Sequence, residues 1–190
     1  MKLKLLLPFI IAFVALGIVL YFNSQSEPLE YHTHADFKVY LNGSFINFSQ
    51  DKFQSNEEHL LSQDVHLHDG NGNIIHFHKA GITMKDFFNS INMDISNNCF
   101  VDDLGHNYCN NKNYSLEFYV NGLKINNYEN YVSKDLDRIL IAYVNKNENI
   151  SKLLDMVTND SCIQSEKCPE RGKPSDESSC TGTSCEFIIE

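Results

Sequence analysis

Val65-His66-Leu67-His68-Asp69-Gly70-Asn71-Gly72-Asn73-Ile74-Ile75-His76-Phe77-His78 is the stretch on which the fold turns. Two His-x-His pairs flank a Gly/Asn-rich turn, which is the pattern of a β-hairpin. Strand side chains alternate faces, so His66 and His68 share one face and His76 and His78 share another. Whether those faces coincide depends on register. A two-residue Asn71-Gly72 loop pairs His68 with Ile75 and His66 with Phe77, mixing imidazole and apolar side chains on both faces. A three-residue Asn71-Gly72-Asn73 loop pairs His68 with His76 and His66 with His78, and gathers Val65, Leu67, Ile75 and Phe77 opposite. A one-residue slip flips every side chain, so the buried face selects the register, and three-residue loops with Gly are common in hairpins. The expectation is an odd-length loop with four imidazoles on one face. That geometry suits a metal ion.

Working outward, six of the eight histidines fall into three His-x-His pairs: His32/His34, His66/His68 and His76/His78. A shuffled chain would show about a third of one such pair, by counting matches to the template. A single pair would read as the polar, solvent-facing side of a sheet. Three pairs on strand-like segments read as metal ligands, since neutral imidazole is the commonest biological ligand. Opposed cross-strand Cβ atoms lie about 4.5–5.5 Å apart, and metal–imidazole bonds are about 2.0–2.1 Å. His32 and His34 complete the site if their strand lies beside the hairpin, or form a second one. Asp36 continues the His32/His34 face and Asp64 the His66/His68 face, and either can orient a ligand from behind it. His59 and His106 are isolated and read as surface residues. An all-nitrogen set suits Zn(II) or Cu(II), and no Cys or Met cluster nearby argues for Cu(I).

Leu5 to Phe22 runs without a charge and follows Lys2 and Lys4. A run of roughly 18–20 apolar residues is long enough to cross a bilayer as a helix, and the lysines keep the N-terminus cytoplasmic. A cleaved signal would have a shorter apolar region and a small-x-small site. The expectation is a signal anchor over 1–22, a single-pass membrane localisation, and an extracytoplasmic C-terminal domain. Six cysteines without Cys-x-x-Cys suit disulfides in an oxidising compartment. A formal charge of −10 excludes nucleic acid as a partner, whose binders carry basic patches.

A polar spacer over 23–30 leads into a His-rich hairpin region over 31–80. There Phe37, Val39 and Leu41 alternate ahead of an Asn42-Gly43 turn. Thr83 as N-cap, Asp86 three residues on, and Met84, Phe87, Phe88 and Ile91 at helical spacing predict a short helix. Leu116 to Val120, Asn121-Gly122 and Leu123 to Ile125 predict a second hairpin, and Asp137 to Val144 a buried last strand. Residues 81–145 pack with 31–80 as one domain, and 146–190 holds a short helix and a Cys-rich tail. The fold class expected is therefore α+β: a transmembrane helix, then a β-hairpin-rich domain with one or two short helices.

From Gly81 to Val144 the order of helix, long loop, Phe118-Tyr119-Val120-Asn121-Gly122 hairpin and Leu136-Asp137-Arg138-Ile139 resembles a small β-grasp-type domain of unknown function. It is found in cobalamin-carrier tails and many secreted bacterial proteins, and the resemblance implies a mixed sheet packed on one helix. Nearly all of the chain beyond the anchor is similar to a poorly characterised family of archaeal and small-genome bacterial membrane-anchored proteins rich in His-x-His. The residues carrying this are His32-Thr33-His34-Ala35-Asp36-Phe37, the double-His hairpin, Phe118 to Gly122, and Cys162 through Cys168-Pro169-Glu170-Arg171-Gly172. Members are often labelled protein-disulfide isomerase, which implies thiol–disulfide chemistry.

Nearest-neighbour pairing gives Cys99–Cys109, Cys162–Cys168 and Cys180–Cys185, one of 15 connectivities that six cysteines allow. A Cys₄ zinc site in the tail is the competing arrangement and needs reduced thiols. None of the three pairs has the spacing of a low-pKa redox dithiol. Three functions follow: a membrane-anchored extracytoplasmic metal-binding protein for delivery, storage or sensing, exchanging its ion with a donor or acceptor protein; a hydrolase or hydratase using a His₃-bound water, with Asp64 or Asp69 as acid or base; and a thiol–disulfide oxidoreductase.

Overall fold

The computed structural model describes residues 31–56 and 59–174, together with Gly17 and the backbone of 180–181 and 184–185. All of the described strands belong to the unit Tyr31–Glu190. Alternating apolar residues build most of it. Strands β1 (Thr33–Leu41), β2 (Ser44–Phe45), β3 (Val65–His66), β4 (Ile74–Phe77), β8 (Tyr114–Val120), β9 (Leu123–Ile125) and β10 (Arg138–Asn145) form one seven-stranded sheet. Its order is β3-β4-β1-β10-β8-β9, with β2 paired to β1. Among the described strands only the central β1–β10 pair is parallel; its register sets Asp36 beside Arg138 and Phe37 beside Ile139. The two tight hairpins turn on Asn42-Gly43 and Asn121-Gly122, all four residues with positive φ, as such turns require. Strands β5 (Asp94–Ile95), β6 (Cys99–Val101) and β7 (Asn107–Cys109) make a separate three-stranded sheet, closed by the Cys99–Cys109 disulfide.

The front face of the large sheet is the core. Ala35, Phe37, Val39, Val65, Ile75, Phe77, Phe118, Ile139 and Ile141 project from it into one buried cluster. Helix α1 (Met84–Ser90) packs there through Met84, Phe87 and Phe88, with the Phe87 ring 5.3 Å from Phe37 and edge-on. Its start is a capping box: Thr83 Oγ1 accepts from the Asp86 N–H, and the Asp86 carboxylate accepts from the Thr83 N–H. The back face is divided. Leu140, Ala142 and Val144 of β10 form a second apolar cluster with Val157, under the segment that includes helix α2 (Ser151–Asp155). Helix α3 (Ser161–Gln164) continues that segment across β1.

Three expectations are corrected. The class is predominantly β rather than α+β, because the apolar period is two almost everywhere. The helices α1, α2 and α3 have only seven, five and four residues. At about 1.5 Å per residue, none approaches the ~30 Å of a bilayer core, and among the described residues no helix is long and apolar enough to cross a membrane. The anchor expected over 1–22 and the spacer over 23–30 lie outside the described residues, Gly17 apart. The transmembrane helix, the membrane partner and the single-pass localisation are therefore without support in the structure and are set aside. What remains is compartment chemistry: two disulfides suit an oxidising environment.

The hairpin register is the third correction. Its parity is as expected, with Val65, Leu67, Ile75 and Phe77 all buried in the core. The pairing, however, is His66 with His76 and Val65 with Phe77, two residues removed from the expected one. Neighbouring strand β1 sets this. Phe37 N–H donates to the Asn73 carbonyl at 2.8 Å and Lys38 Nζ donates to Asn73 Oδ1 at 2.7 Å, so Asn73 belongs to the ladder side rather than to the turn. Gly72 is pressed against the chain at 48–49, where an added Cβ would meet Ser49 N at 2.4 Å. The turn is consequently wider and closes through Asp69 and Gly70 at positive φ.

Candidate metal centre

Strand β1 runs antiparallel to β4 with His34 opposite His76, and β3 pairs on the other side of β4 with His66 opposite His76. Three adjacent strands thus carry His34, His76 and His66 in one cross-strand row on the back face. Continuing the same ladder sets His32 against His78 in the next row. All six imidazoles expected as ligands meet. His32 lies 4.4 Å from His34, 6.0 Å from His76 and 4.5 Å from His78, centroid to centroid. His66 lies 5.6 Å from His68 and 4.8 Å from His78, and His68 lies 3.9 Å from His76. His34, His66 and His76 are buried, at 2 %, 2 % and 0 % exposure.

One ligand nitrogen from each of His32, His34 and His76 lies within 4.8 Å of the other two, so these three can hold a metal ion. His32 Nε2 and His34 Nε2 are 3.1 Å apart. No family model, no curated protein and no solved structure matches the chain. The case for function therefore rests on this cluster and its surroundings.

Oxygen atoms behind the rings fix their orientation. Ser165 Oγ donates to Asp135 Oδ1 at 2.6 Å, so it accepts from His34 Nδ1–H at 2.7 Å. In the neutral ring that leaves the lone pair on Nε2, facing His32. The Ser62 carbonyl accepts from His66 Nδ1 at 2.8 Å, and Asp69 Oδ2 accepts from His68 Nδ1 at 2.8 Å. His66 and His68 accordingly present Nε2 as well. His68 Nε2 lies 3.1 Å from His76 Nδ1, extending a chain from Asp69 through His68 to His76. Backing of this kind holds a ligating imidazole in its tautomer and raises its basicity.

Asp135 anchors the His34 side. It accepts from the His34 backbone N–H at 3.0 Å and pairs with Lys167. Burial works against its charge, but bonds from Lys167, Ser165 and His34 prevail and hold the carboxyl below the usual carboxylate range. Ser165 itself is carried by the loop that the Cys162–Cys168 disulfide closes, with Glu166 at positive φ and Lys167 N–H donating to the Cys162 carbonyl.

The two acids expected behind the ligands are placed elsewhere. Asp36, fully buried, accepts from Thr158 Oγ1 at 2.5 Å and from the N–H groups of Asp160 and Ser161 at 2.9 Å each, tying the covering segment to β1. Asp64 pairs with Lys79, while its carbonyl accepts from the His78 N–H. Ser62, Ser165 and Asp135 carried no signal in the sequence, because folding brings them to the site from distant segments. His106 is exposed and bonds Asp102; His59 is exposed. The Cys99–Cys109 and Cys162–Cys168 pairings are as expected. Cys180 and Cys185 face each other across the β11 (Cys180–Thr181) and β12 (Ser184–Cys185) backbone; their expected bond lies outside the described side chains.

Proposed function

We propose that this protein is a transition-metal-binding module that holds Zn(II) or Cu(II) on His32, His34 and His76 and serves metal delivery, storage or sensing. The observation that carries this is the convergence of three largely buried imidazoles from two segments remote in sequence, with Ser165 behind His34 and His68 behind His76. An all-imidazole set matches the preferences of Zn(II) and Cu(II), and Cys162 and Cys168, the cysteines of the covering segment, are joined to each other. Kinship with the His-x-His-rich family belongs to the same proposal, since the residues on which it rests, His32–Phe37 and the double-His hairpin, supply the cluster. Exchange with a donor or acceptor protein is part of the delivery reading.

A second reading, hydrolysis or hydration by a metal-bound water, is favoured by one feature. An open cleft of about 730 Å³ adjoins His32 and His34 and is lined by Gln164, Ser165, Lys167 and Lys173. A three-His ion keeps a coordination position for water, and this cleft gives a substrate room to reach it. Thiol–disulfide exchange is less favoured, since neither described disulfide has Cys-x-x-Cys spacing.

The test is metal content and a Zn(II) titration of the purified full chain against a chromophoric chelator. The expected result is stoichiometric binding that His34→Ala and His76→Ala each weaken by at least about a hundredfold, as loss of one of three ligands should exceed the 10–100-fold effect of losing a backing residue. Failure to compete with a micromolar chelator would sink the reading. Ester hydrolysis or CO₂ hydration by the loaded protein would move the assignment from carrier to enzyme.

A further inference from the structure

Six imidazoles meet, but among the described residues only His32, His34 and His76 bring ligand nitrogens together. His68 has another place. The ladders set His34 and His66 on either side of His76 in one row. Two residues along each strand, His32 falls on one side of that row and His68 on the other. An ion held by His32, His34 and His76 therefore has His68 behind His76 rather than beside it. We propose that His68 and Asp69 are positioning residues for that ion, acting through His76, and that the turn after β3 is shaped by this task. The proposal rests on the metal-binding reading and adds which of the expected ligands do not ligate.

Proton placement carries the argument. Asp69 Oδ2 accepts from His68 Nδ1 at 2.8 Å. Neutral His68 then has its lone pair on Nε2, which lies 3.1 Å from His76 Nδ1 and takes that hydrogen. The two rings are 3.9 Å apart, centroid to centroid. His76 keeps its own lone pair on Nε2, the nitrogen left to bind metal. With the opposite tautomers, His76 Nε2 would carry a proton that the ion must first displace. One carboxylate thus sets both rings.

The backbone at Asp69 is bent to bring that carboxylate in. Its φ is 58°, in the left-handed region that favours Gly and, after it, Asn and Asp. Among the described residues Asn takes this conformation at 42, 92 and 121, and Asp only at 69. Asn serves the tight turns at 42 and 121; at 69 a charged acceptor stands where His68 Nδ1–H needs one, and charge makes such a bond stronger. Neighbouring bonds hold the turn in place. Gly70 N–H donates to Oε1 of the buried Gln54 at 3.1 Å, and Asn71 N–H donates to the His68 carbonyl at 3.0 Å.

Zn(II) competition, Co(II) absorption and urea unfolding of the full chain test this together. Asp69→Gly suits the backbone at 69, which offsets the flexibility it adds to the unfolded chain. Its urea midpoint should stay where it is while affinity falls by about 10–100-fold, the range for a residue that backs a ligand. Asp69→Asn keeps an uncharged acceptor and should lose less. His68→Ala should lose about 10–100-fold as well, with the visible Co(II) bands unchanged because all three ligands remain. His68→Gln, whose amide oxygen can accept from His76 Nδ1–H, should recover part of the affinity. Unchanged affinity in both Asp69→Gly and His68→Ala would overturn the proposal. A midpoint that falls with affinity in Asp69→Gly would reduce the turn to a structural role and overturn it too. Altered Co(II) bands in His68→Ala would overturn it by making His68 a ligand. No binding by the unsubstituted chain would instead remove the metal reading beneath it.

Discussion

The back face of the sheet has two ends, built on the same alternation and covered in opposite ways. Toward β10 and β8, Leu140, Ala142 and Val144 project outward and are sealed by Val157 with Leu153 and Leu154. Toward β1, β4 and β3, the equivalent outward positions are His34, His76 and His66. One end gains its stability from apolar area removed from water. The other buries imidazoles, which are costly without partners and are given partners at Ser165, Ser62 and Asp69. The row between is polar: Asp36 and Arg138 sit side by side and stitch down the same segment, Arg138 Nε donating to the Thr158 carbonyl while Asp36 receives Thr158, Asp160 and Ser161. An outward strand face is thus not one environment, and what covers each end decides what that end does.

If the ends are separate in energy as well as in chemistry, Leu140→Ala should have the largest effect on folding and none on metal. Leu140 is fully buried, so truncation should cost about 2–5 kcal/mol, read from urea unfolding, with Zn(II) affinity unchanged in the folded protein. A matching loss of metal would show that the aliphatic end holds the imidazole end in place. Asp36→Ala tests the seam. It strands the buried N–H of Ser161 and the part-buried N–H of Asp160 and hydroxyl of Thr158, at roughly 1–3 kcal/mol for a buried group left unsatisfied, so about 3 kcal/mol of destabilisation is expected. Because the same segment runs on to Ser165, metal affinity should fall too, and amide exchange at Asp160 and Ser161 should accelerate. Unchanged exchange there would mean that Asp36 does not hold the segment.

These residues also mark what could be read in advance. The shared face of the hairpin histidines was legible, because Val65, Leu67, Ile75 and Phe77 admit only one parity. The register within that parity was not, since it is fixed by Phe37 and Lys38 of β1 gripping Asn73, a contact between segments. Thr83 and Asp86 announced α1, a local signal with a local cause. The parallel β1–β10 pairing, which draws the chain's first described strand against its last long one, leaves no local trace. It is what places the 158–168 segment over His34. The apolar run at 5–22 was plain as composition but lies outside the described residues, and the β character of the rest was blurred by three helices too short to set the class.

Ser165→Ala is the smallest change and the sharpest. The hydroxyl, 131 positions along the chain from His34, links His34 Nδ1 to Asp135. Its loss removes one bridging side chain at the edge of the cluster, for which about 1 kcal/mol of stability is expected. Metal affinity should respond more strongly, by about 10–100-fold, because the ring then loses the partner that fixes its tautomer and angle. Asp135 remains held by Lys167 and by the His34 N–H, so the backbone of the site should not move. Ser165→Thr keeps the hydroxyl and should restore most of the affinity. Equal affinity in the Ala and Thr variants would show that the hydroxyl only fills space, and the imidazole end would then be held, like the aliphatic end, by packing alone.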